Sequence, residues 1–282
     1  MKNIKYIFPF LLLLVFSSAS AQGSLENCWQ NAEKLYNEKQ YFDAITEYKR
    51  LLFFDAGGKY TQTAMQKIAY CYKGGAKYDD AVEYMARSLQ LTLEKEEKFR
   101  IRMEIIKLNI LRHSTAQAMH ELDELGKEAG AVYGDSVNYW KAWAYIFEGR
   151  WDKASYSLSR IGSDTPGYAA QLKKTADSAD NRKYSVFFAK LISYILPGTG
   201  QFYTGHYLSG FMSLAWTSLL AYLSVRSFSA DRIFDGAITT GLFFRFHRGN
   251  VQNADEFAED RNIIIDNDTI KYLQNNFKGP KP

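Results

Sequence analysis

This chain of 282 residues has few cysteines and a small net charge. Its two cysteines, Cys28 and Cys71, are too few for a disulfide-rich scaffold. Isolated cysteines more often pack as small apolar residues than pair, although one bond between these two stays open. The formal net charge is only +4, which leaves little positive surface to neutralise a phosphate backbone. These shortages argue against a disulfide-stapled fold and against nucleic acid as a partner.

Recognisable catalytic patterns are missing as well. Gly198, Gly200 and Gly205 have the wrong spacing for a dinucleotide-binding loop, and a proline precedes them. No Gly-x-Ser-x-Gly motif is present to supply a nucleophile. No acid or cysteine at ligand spacing accompanies the four histidines, which are His113, His120, His206 and His247. We therefore expect no enzyme activity, no metal site and no cofactor.

The acidic run at residues 266–269 has two interpretations. A calcium loop that starts at Asp266 would keep Asp268, but it lacks the later glycine and the closing glutamate. Short polar side chains of this kind also cap the first turn of a helix. The run therefore predicts the start of a final polar helix, which together with a tail would occupy residues 263–282.

The first residues have the order of a secretory signal peptide. Lys2 and Lys5 precede an apolar stretch at residues 7–16, and small residues follow at 17–21. We expect cleavage after Ala21, with an uncleaved membrane anchor as the alternative. Export would place the chain in the periplasm, with a mature sequence that is nearly neutral.

The most regular feature is an aromatic residue, or a threonine in its place, three positions before an alanine. This pair recurs every 36 or 37 residues. The pairs are Tyr41 and Ala44, Tyr78 and Ala81, Thr115 and Ala118, and Trp151 and Ala154. A second marker lies twelve residues before each alanine, at Ala32, Ala69, Ile106 and Ala142. Small side chains at fixed places let antiparallel helices approach closely, so the pattern predicts a stack of helical hairpins.

This pattern resembles the tetratricopeptide repeat. The first, second and fourth copies match well, whereas the third has Ile106 and Thr115 where a small residue and an aromatic are usual. The usual period is about 34 residues, so a few extra residues must lie in loops or longer helices. The resemblance covers about residues 25–168. It implies an all-α fold with about four tetratricopeptide-like repeats, to which we assign residues 22–180.

The resemblance also implies a binding groove lined by the first helix of each repeat. Such a groove suits an extended peptide or a helix from a partner protein. The matching positions are Trp29, Glu33, Tyr36, Gln66, Tyr70, Lys73, Met103, Lys107, Tyr139, Trp143 and Phe147. The alternative is that these side chains pack between repeats or are covered by the C-terminal helices of the same chain.

Three apolar segments follow a polar linker, at residues 186–196, 208–225 and 233–246. The middle segment is free of charge and close to the roughly 20 residues that a membrane helix needs. Charged residues interrupt the other two, at Lys190, Asp235 and Arg245. The segments predict a hydrophobic, membrane-associated helical domain at residues 181–262, or else a soluble three-helix unit.

A motif of proline, glycine, glutamine and tyrosine separates the first two apolar segments. Its members are Pro197, Gly198, Gly200, Gln201, Tyr203 and Gly205. Proline ends a helix and glycine permits positive φ angles, so we expect a tight helical hairpin here. Residues 184–262 are similar to C-terminal membrane-hairpin domains of unassigned function in bacterial envelope proteins. If the repeats are periplasmic, this turn would face the cytoplasm, yet it carries no Lys or Arg, which opposes the positive-inside rule.

Two functions remain open from the sequence. The first is a noncatalytic adaptor of the bacterial cell envelope, whose repeats hold a protein partner and whose hairpin contacts membrane lipid. The second is a membrane-active factor or enzyme of envelope biogenesis in which the hairpin itself carries the activity.

Overall fold

The computed structural model describes residues 25–129, 133–163 and 167–282, and all regular secondary structure in these ranges is helical. The prediction of an all-α fold is confirmed. The expected signal peptide, residues 1–21, lies outside the described residues. The thirteen helices of the described ranges are α1 (25–37), α2 (Tyr41–Phe54), α3 (Thr61–Gly74), α4 (Tyr78–Gln90), α5 (Lys95–Leu111), α6 (Thr115–Ala129), α7 (Gly134–Phe147), α8 (Trp151–Ser159), α9 (Tyr168–Asp180), α10 (Val186–Ile195), α11 (Thr199–Tyr203), α12 (Tyr207–Ser229) and α13 (Ile233–Asn276).

The chain folds into two compact units that divide between Glu148 and Gly149. The first unit holds α1 to α7, together with residues 160–163 and 280–282. Within it, each helix from α2 to α6 packs against the next one along the chain. All eight marker residues of the periodic pattern have no solvent exposure: Ala32, Ala44, Ala69, Ala81, Ile106, Ala118, Ala142 and Ala154. The seven alanines among them are small enough for the helices to pack closely at these positions, whereas Ile106 is a larger buried side chain.

One turn geometry recurs between paired helices of the first unit. Lys39, Ala76 and His113 each have a φ angle of 56–60° and lie two residues before the next helix. Their N–H groups bond to the carbonyl three residues earlier, and the following N–H bonds to the carbonyl five residues earlier, at 2.8–3.0 Å. This is a Schellman motif, which satisfies the last carbonyls of one helix while it reverses the chain. The periodic aromatic and threonine residues then begin the next helix.

The core of the first unit begins where α1, α2 and α3 meet. Tyr48, Leu51 and Ile68 are fully buried there. Cys71 joins this core and Cys28 packs against it, and both thiols are free. Burial raises the pKa of the Cys71 thiol to about 12. The two cysteines therefore serve as packing residues in this structure.

The second unit holds α8 to α13. It begins before α8, whereas the sequence placed the domain boundary at residues 180 and 181. The indole Nε1 of Trp151 donates to Asp266 Oδ1 at 2.6 Å, and Lys183 Nζ lies 3.0 Å from Asp266 Oδ2. Because Asp266 lies on α13, these contacts tie the start of α8 to the C-terminal helices.

The longest helix, α13, runs without a break for 44 residues. The prediction that residues 266–269 start a separate final helix is therefore wrong. The run lies inside α13, where the backbone N–H groups bond within the helix and need no cap, and Thr269 Oγ1 donates to the Ile265 carbonyl at 2.7 Å. Asp266 instead contacts Trp151 and Lys183, as described above.

The apolar segments pair differently from the expected hairpin. The first segment, α10, packs along the later part of α13, where Lys190 Nζ lies 2.9 Å from Asp255 Oδ2. The second segment, α12, reverses into α13 through a Schellman turn at Asp231, whose φ angle is 58°. We call α12 together with residues 233–246 the apolar hairpin. Its two arms are the second and third apolar segments, and residues 230–232 form its tip.

Candidate functional site

All eleven predicted groove residues lie in the described part of the first unit, and none is highly exposed. Gln66, Met103 and Trp143 are buried, with Trp143 only 1% exposed. The other eight are half-buried. We call the half-buried side chains of α1, α3, α5 and α7 the first-helix face. The three buried residues offer almost no surface to a partner and act in packing.

Polar side chains link the successive first helices. Lys67 Nζ on α3 lies 2.8 Å from Glu33 Oε2 on α1. Glu33 also accepts a hydrogen bond from the Tyr48 hydroxyl, and burial together with this carboxylate raises the pKa of Tyr48. Between α3 and α5, Gln66 Nε2 donates to Glu97 Oε1 at 3.0 Å. These bonds fix the spacing of the helices and satisfy groups that would otherwise be free for a partner.

The same linkage continues at the other end of α3. Lys73 Nζ lies 3.6 Å from Glu104 Oε2 on α5, and Lys107 Nζ lies 2.5 Å from Glu104 Oε1. Burial lowers the pKa of Lys73. Lys107 also lies 4.7 Å from the centre of the Trp140 ring on α7, within cation–π range. Lys73 and Lys107 therefore share the Glu104 carboxylate, so these three side chains together carry a net positive charge.

Aromatic side chains of the first-helix face also contact other parts of the first unit. Trp29 stacks on Tyr60 with ring centres 5.4 Å apart. The Phe147 ring lies 5.6 Å from the His113 ring. The Tyr139 hydroxyl donates to the Pro280 carbonyl at 2.7 Å, so the C-terminal tail lies against this residue. Packing and partial cover thus account for much of the aromatic content of the face.

The motif between α10 and α12 builds a buried polar network. Gln201 is fully buried, and its Nε2 donates to Asn250 Oδ1 at 2.7 Å and to the Asn250 carbonyl at 3.0 Å. Ser193 Oγ accepts from the Gly200 amide at 2.8 Å, and Asn250 Oδ1 accepts from the Gly198 amide at 3.0 Å. We call these five residues the junction network. It joins α10, α11 and α13.

Close backbone approach explains the two glycines of the junction network. Gly198 has a φ angle of 92°, and a Cβ there would collide with the carbonyl oxygen of Gly210. A Cβ on Gly200 would meet the Ala254 methyl at 2.6 Å. Both positions therefore require glycine.

The remaining motif residues also contact neighbouring protein atoms. Tyr203 accepts a hydrogen bond from the Ser185 amide at 3.2 Å, at the start of α10. Gly205 supplies a φ angle of 81° to the turn that begins α12. Pro197 lies two residues after Ile195, the last residue of α10. The motif therefore shapes a helix junction, and its buried Gln201 amide is not available to a substrate.

Sequence reasoning missed Ser193 and Asn250 as members of the junction network. Both are nearly or fully buried, with 0% and 3% exposure. Their signal in the sequence is a small polar residue next to apolar neighbours, which requires an internal hydrogen-bond partner once it is buried. The identity of that partner depends on which helices meet.

The apolar hairpin and α10 leave many large hydrophobic side chains exposed. On α12 these are Tyr207, Leu208, Phe211, Met212, Trp216, Leu219, Tyr222, Val225 and Phe228. On residues 233–246 they are Ile233, Phe234, Ile238, Leu242, Phe244 and Phe246, and on α10 they are Phe187, Phe188, Leu191, Tyr194 and Ile195. An exposed apolar surface of this extent is typical of sites that bind a membrane or another protein.

Among the described residues, α12 is the one helix long and apolar enough to cross a membrane. It has 23 residues, which corresponds to about 34 Å. The same part of the chain contains no group of three or more His, Cys, Asp or Glu side chains placed to hold a metal ion.

Comparison of the chain with models of protein families, with curated proteins and with solved structures found no match.

Proposed function

We propose that this chain is a noncatalytic adaptor of the bacterial cell envelope. Its helix pairs form a tetratricopeptide-like solenoid that holds a protein partner, and its apolar hairpin inserts into the membrane. The observation that carries the proposal is the apolar hairpin, which exposes large hydrophobic residues on both arms. Water would be an unfavourable environment for such a surface, whereas lipid tails would cover it.

The positions of the charged residues fit a hairpin that crosses the membrane with its tip on the far side. Near the tip lie Arg226, Arg232 and Asp235, and Arg232 Nε donates to Asp235 Oδ2 at 2.6 Å. On the α13 arm the next charged residue after Asp235 is Arg245, about 15 Å further along the helix. Arginine side chains at both ends can extend toward headgroups and shorten the required span.

This arrangement reduces the objection raised by the positive-inside rule. With the α12–α13 pairing, the far end of the hairpin is its tip and no longer the uncharged turn at residues 197–207. The tip carries Arg226 and Arg232, whereas Arg245 and Arg248 stay at the open end, so the hairpin has basic residues at both ends. Because the proposed export leaves α9 in the periplasm, a hairpin that crosses the membrane has its tip in the cytoplasm.

The second possible function, an active hairpin, receives less support. Its candidate groups were Gln201 and Tyr203, but Gln201 is fully buried and its amide is bonded to Asn250. Tyr203 is half-buried and holds the start of α10. These residues favour a role in building the junction.

Site-specific labelling tests the proposed topology. A variant with Cys28→Ser and Ala230→Cys carries one accessible thiol, at the hairpin tip, because Cys71 is buried. In sealed spheroplasts we expect a membrane-impermeant maleimide to label this thiol only after the membrane is opened. Labelling in intact spheroplasts would contradict the crossing and favour a shallow hairpin.

The partner-binding half is tested at the first-helix face. Crosslinking from a photoreactive residue at Phe147 should trap a protein that the same residue at exposed Phe42 on α2 does not trap. An identical set of products from both positions would remove the adaptor proposal.

A further inference from the structure

A cleft of about 860 Å³ lies within the second unit, between α10, α12 and α13. Its volume is within the range of small-molecule binding sites. The cleft is separate from the junction network and from the first-helix face. Neither an adaptor role nor membrane insertion by itself requires such a cavity.

The lining of the cleft changes from apolar to charged along α13. One end is formed by Phe243 and Phe244, which face Ala221 on α12 and Ile195 on α10. The other end is formed by Arg248, Gln252 and Asp255 with Lys190 from α10. From Phe243 to Asp255 the helix rises about 18 Å. The cleft is therefore amphipathic along its length.

The direction of this gradient matches the proposed membrane. The apolar end lies toward the tip of the apolar hairpin, and the charged end lies toward the polar part of α13. A phospholipid has the same order, with acyl chains toward the bilayer and a headgroup at its surface. A ligand that is both chain-like and charged at one end fits the cleft better than a compact polar metabolite does.

The charged end favours an anionic headgroup. Lys190 and Asp255 pair with each other at 2.9 Å and largely cancel. Arg248 is exposed and, within the described residues, has no hydrogen-bond or ion-pair partner. A guanidinium without an internal partner, at the charged end of an otherwise apolar cleft, can bind a phosphate through two parallel hydrogen bonds.

His247 provides a second polar group at the same level. Its ring lies 5.5 Å from Tyr194 and is parallel to Phe243 at 5.8 Å, so two aromatic rings hold its orientation. Its Nδ1 atom is buried and, in the described part of the chain, lacks a hydrogen-bond partner.

We propose that this cleft binds one anionic phospholipid, with its phosphate on Arg248 beside His247 and its acyl chains along Phe243, Phe244 and Ala221. The inference rests on the membrane half of the proposed function and adds a headgroup preference to it. The lipid would reinforce the contact between α10 and the apolar hairpin.

The test uses the full chain purified in detergent, with bound lipid counted by native mass spectrometry. The probes are phosphatidylglycerol and phosphatidylcholine with identical acyl chains. We expect one phosphatidylglycerol to bind and phosphatidylcholine to bind at least about tenfold more weakly, since the glycerol headgroup leaves a net negative charge. Equal binding of the two lipids would overturn the proposal.

Two variants locate the site. Arg248→Gln should weaken phosphatidylglycerol binding about tenfold, because it removes a charge-assisted hydrogen bond. The matched control is Arg245→Gln, which removes the same charge from α13 outside this cleft and should change binding by no more than about twofold. Equal losses in both variants would mean general surface attraction and would refute the cleft.

A third variant narrows the cleft without disturbing the core. Ser218 is exposed on the wall of the cleft, so Ser218→Phe adds bulk where the fold has room. We expect it to weaken phosphatidylglycerol binding by at least about tenfold while the helical circular dichroism is unchanged, and binding as strong as in the wild type would contradict the proposal. Whether the wild-type chain stays in membranes during an alkaline wash is measured separately. Release of the wild-type chain by the wash would refute the proposed insertion, whereas the count of bound lipid in detergent tests the cleft alone.

Discussion

Gln201 is the residue on which the geometry of the helix junction most depends. Its amide connects α11 to Asn250 on α13, and Ser193 Oγ donates to its Oε1 at 3.3 Å. Gln201→Ala would leave buried polar atoms without partners and would open a small cavity. We expect a local loss of about 2–4 kcal/mol.

Hydrogen exchange of the Gly198 and Gly200 amides measures this loss, because both amides donate into the junction network. Their protection should fall by at least about thirtyfold in Gln201→Ala. The control is Gln252→Ala, the same change at an exposed position of α13, which should leave both amides protected. Unchanged protection in Gln201→Ala would mean that the network does not hold the junction.

The turn residues lead to a prediction of increased stability. Ala76 has a φ angle of 56°, a conformation that costs an L-residue about 1–2 kcal/mol and that glycine adopts freely. After the entropy cost of glycine, Ala76→Gly should stabilise the chain by about 0.5–1 kcal/mol. Ala81→Gly, in the middle of a helix and fully buried, should destabilise it by about 1.5 kcal/mol.

Chemical denaturation followed by circular dichroism would show both changes as opposite shifts of the unfolding midpoint. Destabilisation by Ala76→Gly would contradict the turn geometry.

At this scale the sequence predicted the periodic alanines well and Asp266 badly. Ala44 and Ala81 recur at a fixed spacing, and burial of small residues follows from local periodicity alone. Asp266 looks like a helix cap because capping is also a local rule. Its partners, Trp151 and Lys183, are distant in sequence, so no local pattern could predict them.

The helical elements were easier to predict than their pairing. The start of α12 and the end of α10 lie within a few residues of the predicted apolar segments. The sequence did not predict that α12 pairs with α13, because mean hydropathy is evaluated one segment at a time and says nothing about which segments contact each other. The short turn at Asp231 and the packing of Gly236 against the Phe228 ring determine this pairing.

The apolar hairpin leads to a prediction about membrane partition. Leu219 lies midway along α12 and is exposed, so Leu219→Asp should leave the fold intact in detergent. A charged residue at the centre of a membrane helix costs about 3 kcal/mol, which corresponds to roughly a hundredfold weaker partition.

Flotation of the purified chain with lipid vesicles measures this partition. The matched control is Leu93→Asp, which makes the same change at an 88% exposed position of the first unit and should float like the wild type. Equal flotation of both variants would show that the apolar hairpin does not enter lipid.

The whole chain differs from its sequence-based division in where the second unit begins. Periodicity grouped α7 with α8 as a fourth repeat, yet the compact units divide between these two helices. Trp151 has two roles in this arrangement: it continues the periodic pattern, and its indole binds Asp266 on α13. A repeat pattern describes local helix packing, so it could not reveal that the last copy belongs with the C-terminal helices.

Export is the last requirement of the adaptor proposal, and it concerns the chain as a whole. Residues 19–21 have the small-x-small order that signal peptidase recognises, so the mature chain in the membrane fraction should begin at Gln22. Ala21→Arg should block processing and leave a longer chain, because a large charged side chain does not fit a site for small residues. Leu25→Arg, beyond the expected cleavage site, serves as the control and should be processed normally. Mass spectrometry of the intact protein distinguishes these products, and a wild-type chain that keeps Met1 after expression in a bacterial host would contradict cleavage and favour an uncleaved anchor.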